Sequence, residues 1–139
     1  MLRVQRPLSS DEVRALCERT STASDEHQFV ALLRSSGSRV GLGHVRLHAA
    51  RARVASIGYS VLPTLWGHGI GTELGGRLVE FAFDTLRATE VRATTLDENA
   101  ASARVLKKLG FLVVEAGASE VDSRGAVRRV VRWSRRRAE

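Results

Sequence analysis

Apolar and polar positions alternate in short runs over much of the chain and change twice to a helical period in its second half. Residues 2–6 (Leu-Arg-Val-Gln-Arg) alternate, which predicts a first strand ended by Pro7. Ser9 or Ser10 can cap a helix reaching Arg19, with Asp11 and Glu12 in its favourable first turn. Val13, Leu16 and Cys17 form the apolar stripe of that helix, and Thr20 to His27 reads as a polar loop. Gln28–Arg34, Val40–His48 and Val54–Leu62 read as three strands. A turn at Ser35-Ser-Gly-Ser38 and a connection over residues 49–53 join them into an antiparallel meander.

The helical period begins near Gly69 and runs to Thr85, with Leu74, Leu78, Phe81, Ala82 and Leu86 on the inner face. Phe81 and Phe83 are read as core, not as a cofactor box. Glu90–Leu96 alternates again and predicts a strand reached by a helical crossover, hence parallel to the strand before the helix. A second helix is expected over Ala100–Leu109, with Asn99 as N-cap and Gly110 as its stop. Phe111–Glu115 and Val127–Trp133 read as a closing hairpin around Asp122-Ser-Arg-Gly125. There are no internal repeats. The pattern predicts one α+β domain over residues 1–139, with 134–139 as a loose basic tail.

Composition changes this picture little. Hydrophobic content of 43% and charged content of 27% are those of an ordinary globular protein. No apolar run approaches the ~20 residues of a membrane span, and the N-terminus has no basic-then-apolar leader. A single cysteine excludes an intrachain disulfide or a thiolate metal cluster, and no metal site is expected; a reducing cytoplasm is the simplest setting. Charge adds more. The net +7 is concentrated near the end, at Arg124, Arg128, Arg129, Arg132, Arg135, Arg136 and Arg137. Nucleic-acid binding is one reading of that run and a solvated strand is the other. A single Tyr and no RNA-stacking aromatic motif weigh against specific RNA binding.

The candidate chemistry sits where the third meander strand meets the first of these two helices, in Trp66-Gly67-His68-Gly69-Ile70-Gly71-Thr72. A turn through three glycines into a helix leaves unpaired N–H groups at the positive end of that helix, which suits a phosphate. The dinucleotide fingerprint G-x-G-x-x-G fails, because its last slot falls on Thr72 or Leu74. The nucleoside-triphosphate pattern fails too, since Arg77 and Leu78 stand where Lys and Ser or Thr belong.

The loop resembles the pyrophosphate loop Q/R-x-x-G-x-G/A of the GNAT superfamily of acyl-CoA-dependent N-acyltransferases, with Trp66 in the first slot and Gly69 and Gly71 in the glycine slots. Trp at that slot is similar to the ribosomal-protein alanine N-acetyltransferase branch. So is Asn99-Ala-Ala-Ser102-Ala-Arg-Val-Leu-Lys-Lys-Leu-Gly110-Phe111. The two motifs occur in the expected order, and the resemblance covers roughly residues 40–115. It implies a GNAT fold: a mixed, mostly antiparallel twisted sheet flanked by helices, with a V-shaped splay between the fourth and fifth strands. It implies acetyl-CoA as cosubstrate. The backbone of His68 to Thr72, with Trp66 and Gly67, would hold the pyrophosphate, and His68 could add charge. Val61 and Leu62 would pair with the pantetheine amides, and Asn99 would touch the same arm. An N–H near Val61 would face the oxyanion.

Many members place a proton-donating Tyr where Leu106 stands here. In the resembled branch a Ser takes that role, and Ser102 matches it. For a base, His44, His48, Asp97, Glu98 and Glu115 are all candidates. With no activated nucleophile visible, direct attack by an amine in a ternary complex is expected. The acceptor is a protein N-terminus or a small-molecule amine. A non-catalytic acyl-CoA-binding domain is the alternative. Dimers are common in the superfamily, so a homodimer is admissible.

Overall fold

The computed structural model describes residues 2–4, 24–33, 35–48 and 53–138. The helix expected over 9–19, Cys17, residues 20–23 and the connection at 49–52 lie outside them. The strands are β1 (Leu2–Val4), β2 (Ser24–Leu33), β3 (Arg39–His48), β4 (Val54–Val61), β5 (Glu90–Leu96), β6 (Leu112–Val121) and β7 (Val127–Arg136). They form one sheet in the order β1-β2-β3-β4-β5-β7-β6. Every neighbouring pair is antiparallel except β4 and β5. Helix α1 (Ile70–Glu80) makes the crossover between those two, and α2 (Ala100–Lys108) follows β5.

The α+β class, the meander and the parallel crossover are as the sequence predicts. Some boundaries differ. Ser24 to His27 are strand, not loop, because β3 extends to His48 and pairs with them from Ser24↔His48 to His27↔Val45. Past Glu80 the first helix widens into a π-helical turn over Phe81–Thr85, where Ala82 and Phe83 remain buried. The closing hairpin is longer than its apolar pattern indicates. Residues 134–136 continue β7 alongside Arg92, Val91 and Glu90 instead of forming a loose tail. The Arg137 N–H then donates to Thr89 O at 2.9 Å.

The core lies between the sheet and the two helices. Ala55 and Ile57 of β4, Val45 of β3 and Val91 and Ala93 of β5 are buried together with Leu74 and Leu78 of α1 and Leu106 of α2. Burying each such aliphatic side chain contributes about 1.5–3 kcal/mol. Gly75 lies where the end of α2 packs closely on α1: a Cβ there would lie 2.8 Å from Leu109 Cδ1, so that side chain would have to shift. Trp133 of β7 is buried with its Nε1–H donating to Thr95 Oγ1 at 3.0 Å, so its one polar atom is satisfied.

Candidate active site

Strands β4 and β5 pair over only three positions, Val54↔Glu90, Ala55↔Val91 and Ser56↔Arg92. Beyond them β5 pairs with β7 alone, up to Leu96↔Val130, while β4 continues to Val61. The strands therefore part in a V. Leu62 N–H donates to Val40 O at 2.9 Å, toward β3. Backbone groups alternate sides along a strand, so Val61 and Tyr59 turn theirs into the gap. Leu62 does not: its N–H goes to β3 and its carbonyl accepts from Leu65 N–H at 2.9 Å. The open-edge pairing expected of Val61 and Leu62 thus falls geometrically to Tyr59 and Val61.

The loop leaves the tip of β4 through a short 3-10 turn, Pro63–Leu65. Gly67 and Gly69 have φ of +83° and +79°, a region costly for other residues. Gly69 is the N-cap of α1 and supplies no side chain to satisfy the first turn. The first intrahelical bond is Glu73 N–H to Gly69 O, and none of the N–H groups of residues 67–72 reaches an acceptor among the described residues. A continuous row of free amides therefore opens at the positive end of the helix, which is the physical requirement for binding a phosphate.

Two side chains brace this row. Trp66 Nε1–H donates to Val61 O at 2.8 Å, and His68 Nδ1 lies 3.1 Å from both Leu65 O and Trp66 O. Between two carbonyls that nitrogen must carry the proton. The His68 ring folds back on the loop carbonyls, and its backbone N–H belongs to the row.

Asn99 caps α2, its Oδ1 accepting from Ser102 N–H at 3.1 Å. The starts of α1 and α2 face each other across a cleft of about 370 Å³, open to solvent and floored by Tyr59, Ser60 and Val61. Trp66, Gly67, Gly69, Ile70, Gly71, Thr72, Asn99 and Ser102 all line it, so both sequence motifs converge on one cavity. Leu62 and His68 are not among the lining residues. Tyr59, Arg104 and Lys108, which the sequence reading did not single out, also line it. Arg104 and Lys108 stand at i+3 and i+7 from Ala101, another lining residue of α2, and put positive charge on the cleft wall. Their helical spacing was the available signal. Burial pushes the Tyr59 hydroxyl up to about 12, with the nearby Ser102 hydroxyl pulling the other way.

None of the five base candidates lines the cleft. Glu115 pairs with Arg132 at 2.9 Å and Glu98 with Arg128 at 3.7 Å. His48 Nε2 lies 2.6 Å from Ser56 Oγ, and the His44 ring covers Gly58. Asp97 is exposed, its N–H donating to Arg129 O at 2.9 Å.

A family model described as an acetyltransferase (GNAT) domain matches residues 1–112. The chain belongs to the GNAT acetyltransferase family. The GNAT chain is 33% identical over 72 residues to the uncharacterized N-acetyltransferase YoaA of Bacillus subtilis, a match covering 50% of this chain and 41% of YoaA. The matched stretch thus spans about two-fifths of that relative. Its fold is shared with spermidine N-acetyltransferase from Vibrio cholerae, solved with CoA and spermine (TM-score 0.73, 16% identity, 97% of this chain and 95% of that one). It is shared too with ribosomal-protein-S5-alanine acetyltransferase from Vibrio fischeri (TM-score 0.72, 20% identity, 80% of this chain and 61% of that one). Among the described residues no helix is long and apolar enough to cross a membrane, and no cluster of His, Cys, Asp and Glu could hold a metal.

Proposed function

We propose that this GNAT domain is a cytoplasmic N-acetyltransferase that moves an acetyl group from acetyl-CoA to a primary amine by direct attack in a ternary complex. The observation carrying this reading is the row of free amides over residues 67–72, set at the head of a cleft that runs beside the β4–β5 gap. In it those amides hold the pyrophosphate, and Arg104 and Lys108 add attraction for its charge. The Tyr59 backbone and the Val61 N–H pair with the pantetheine arm along the open edge of β4, the Val61 carbonyl being held by Trp66, and the Asn99 amide nitrogen, left free by the cap, faces the same arm. A Val61-region N–H stabilises the oxyanion. Acetyl-CoA supplies the activated thioester carbon. Ser102 donates a hydrogen bond to the departing sulfur.

Among the described residues that line the cleft none is a carboxylate or a histidine, which supports an acceptor that needs little help to lose its proton. An α-amine titrates near ~7.7–8.0 and is partly neutral at pH 7, whereas a Lys amine near ~10.4 needs about three more units. The site therefore favours a protein N-terminus or a small amine of low pKa, as in the ribosomal-protein alanine acetyltransferase branch. The arginine-rich end does not favour nucleic acid: Arg128 bonds Asp122, Arg132 bonds Glu115 and Glu120, and Arg135 and Arg137 donate to Leu109 O and Phe83 O.

A panel of amines with acetyl-CoA, read by release of free thiol, tests this. Release with an alanine-terminated peptide ahead of a lysine side chain is expected. CoA binding without release for any amine would make the chain a non-catalytic acyl-CoA-binding domain.

A further inference from the structure

Tyr59 is the one tyrosine in the chain, and it lies on the cleft floor where β4 passes beneath both helices. Its ring lies along α1, 3.8 and 3.5 Å from where a Cβ on Gly71 or Gly75 would sit. Both are ordinary contact distances, so the ring packs closely along the glycine face of the helix. Its Oη is shielded from solvent and has no hydrogen-bond partner of good geometry among the described residues. Leaving a buried hydroxyl unpaired is costly, so such a group calls for a use. The hydroxyl nearest in chemistry is Ser102, which enters the same cleft from the first turn of α2. At the position where the family places a tyrosine, Leu106 is 1% exposed and part of the core.

We infer that Tyr59 is a positioning residue for Ser102: once CoA fills the cleft, the unpartnered Oη–H of Tyr59 donates to Ser102 Oγ, so that the Ser102 proton points toward the departing sulfur. This deepens the acetyl-transfer reading and rests on it. In the step served, the amine nitrogen forms a bond to the thioester carbon and the carbon–sulfur bond breaks. Sulfur leaves with the electron pair, and the extra proton on nitrogen goes to solvent. The Ser102 proton stays on Ser102 and stabilises the thiolate by a hydrogen bond; Tyr59 fixes its direction. A phenol whose proton is held up to about 12 suits this role, since it stays a donor at every physiological pH. It would not give that proton away to a thiolate, whose parent thiol is the stronger acid.

The test is the thiol pKa of bound CoA, followed by thiolate ultraviolet absorbance, in wild type, Tyr59→Phe, Ser102→Ala and the double variant. The charged groups lining the cleft, Arg104 and Lys108, are common to all four, so they cancel in the comparison. Tyr59→Phe keeps the ring that packs against α1 and should melt as a folded protein. The bound thiol pKa should rise by the same amount in both single variants and no further in the double. For the same reason kcat should fall about 10-fold in each, one hydrogen bond's worth, with KM for acetyl-CoA unchanged. A Tyr59→Phe protein with wild-type thiol pKa and kcat, while Ser102→Ala shifts both, would overturn the inference and leave the transferase reading intact. Failure of the wild type to bind CoA would overturn both.

Discussion

The indole N–H of Trp66 donates to the carbonyl of Val61 at 2.8 Å, tying the glycine loop to the end of the strand that enters it. Trp66 is otherwise 64% exposed, so burial does not explain its presence. The bond fixes the direction of the amides that follow. Trp66→Phe removes it while keeping an aromatic ring. Stability should drop by about 1 kcal/mol, and affinity for CoA should fall about 10-fold as the loop loses its preorganisation. Thermal melting and calorimetric titration measure the two effects separately.

Gly71 offers a sharper test of the anion site. A Cβ there would meet Val105 Cγ2 at 3.7 Å and Tyr59 Cε2 at 3.8 Å, both ordinary contacts. Its φ is that of a normal helix residue, unlike those of Gly67 and Gly69. Gly71→Ala should therefore fold, with stability unchanged or raised by about 0.5–1 kcal/mol from helix propensity. Gly71→Glu should also fold, but its carboxylate enters the first turn among the free amides and competes for them. CoA should then no longer raise its melting temperature. Retention of that shift would contradict the loop assignment.

How far the sequence foretold this site depends on the range of the interaction. The loop was legible because glycine spacing reports local backbone geometry. Asn99 and Ser102 were legible because a cap and the N–H it accepts lie three residues apart. Tyr59 was not: its role depends on a strand passing under two helices that the chain has not yet formed at residue 59. Its own alternating pattern reads only as a strand. Strand β2 was cut short at Gln28 because Ser24 to His27 carry polar side chains; only their pairing with the far end of β3 makes them strand. Likewise, the arginines near the end look like a solvated tail until Arg135 is placed over the Phe83 ring, 5.5 Å from its centroid.

Alkaline pH should expose Tyr59 through stability alone. Its folded-state pKa is raised from 10.0 to about 12 by burial, so the folded protein holds this proton more tightly than the unfolded chain does. The resulting stability is complete below pH 10 and is lost as pH rises toward 12. Melting temperature should fall over that window in wild type, and the fall should be shallower in Tyr59→Phe. Parallel curves would mean that Tyr59 is not buried as described.

Glu90 works in the opposite direction. The Arg92 guanidinium, 2.6 Å away, and Ser134 Oγ–H at 2.9 Å hold its carboxyl below the usual range. Its contribution is present above the unfolded carboxylate pKa and is lost as pH falls. Because the partner Arg92 is open to solvent, which screens the pair, the effect is small. Glu90→Gln should flatten acid unfolding slightly and leave transfer activity alone, as measured by melting at low pH and by thiol release.

The account stands on the amides of residues 67–72 binding the coenzyme's diphosphate. Amide ¹H–¹⁵N spectra recorded during a CoA titration examine those groups one by one. The largest shifts should fall on Gly67 through Thr72, and Gly71→Glu should abolish them. Saturable CoA binding with those six resonances unmoved, and the changes located elsewhere on the chain, would contradict it.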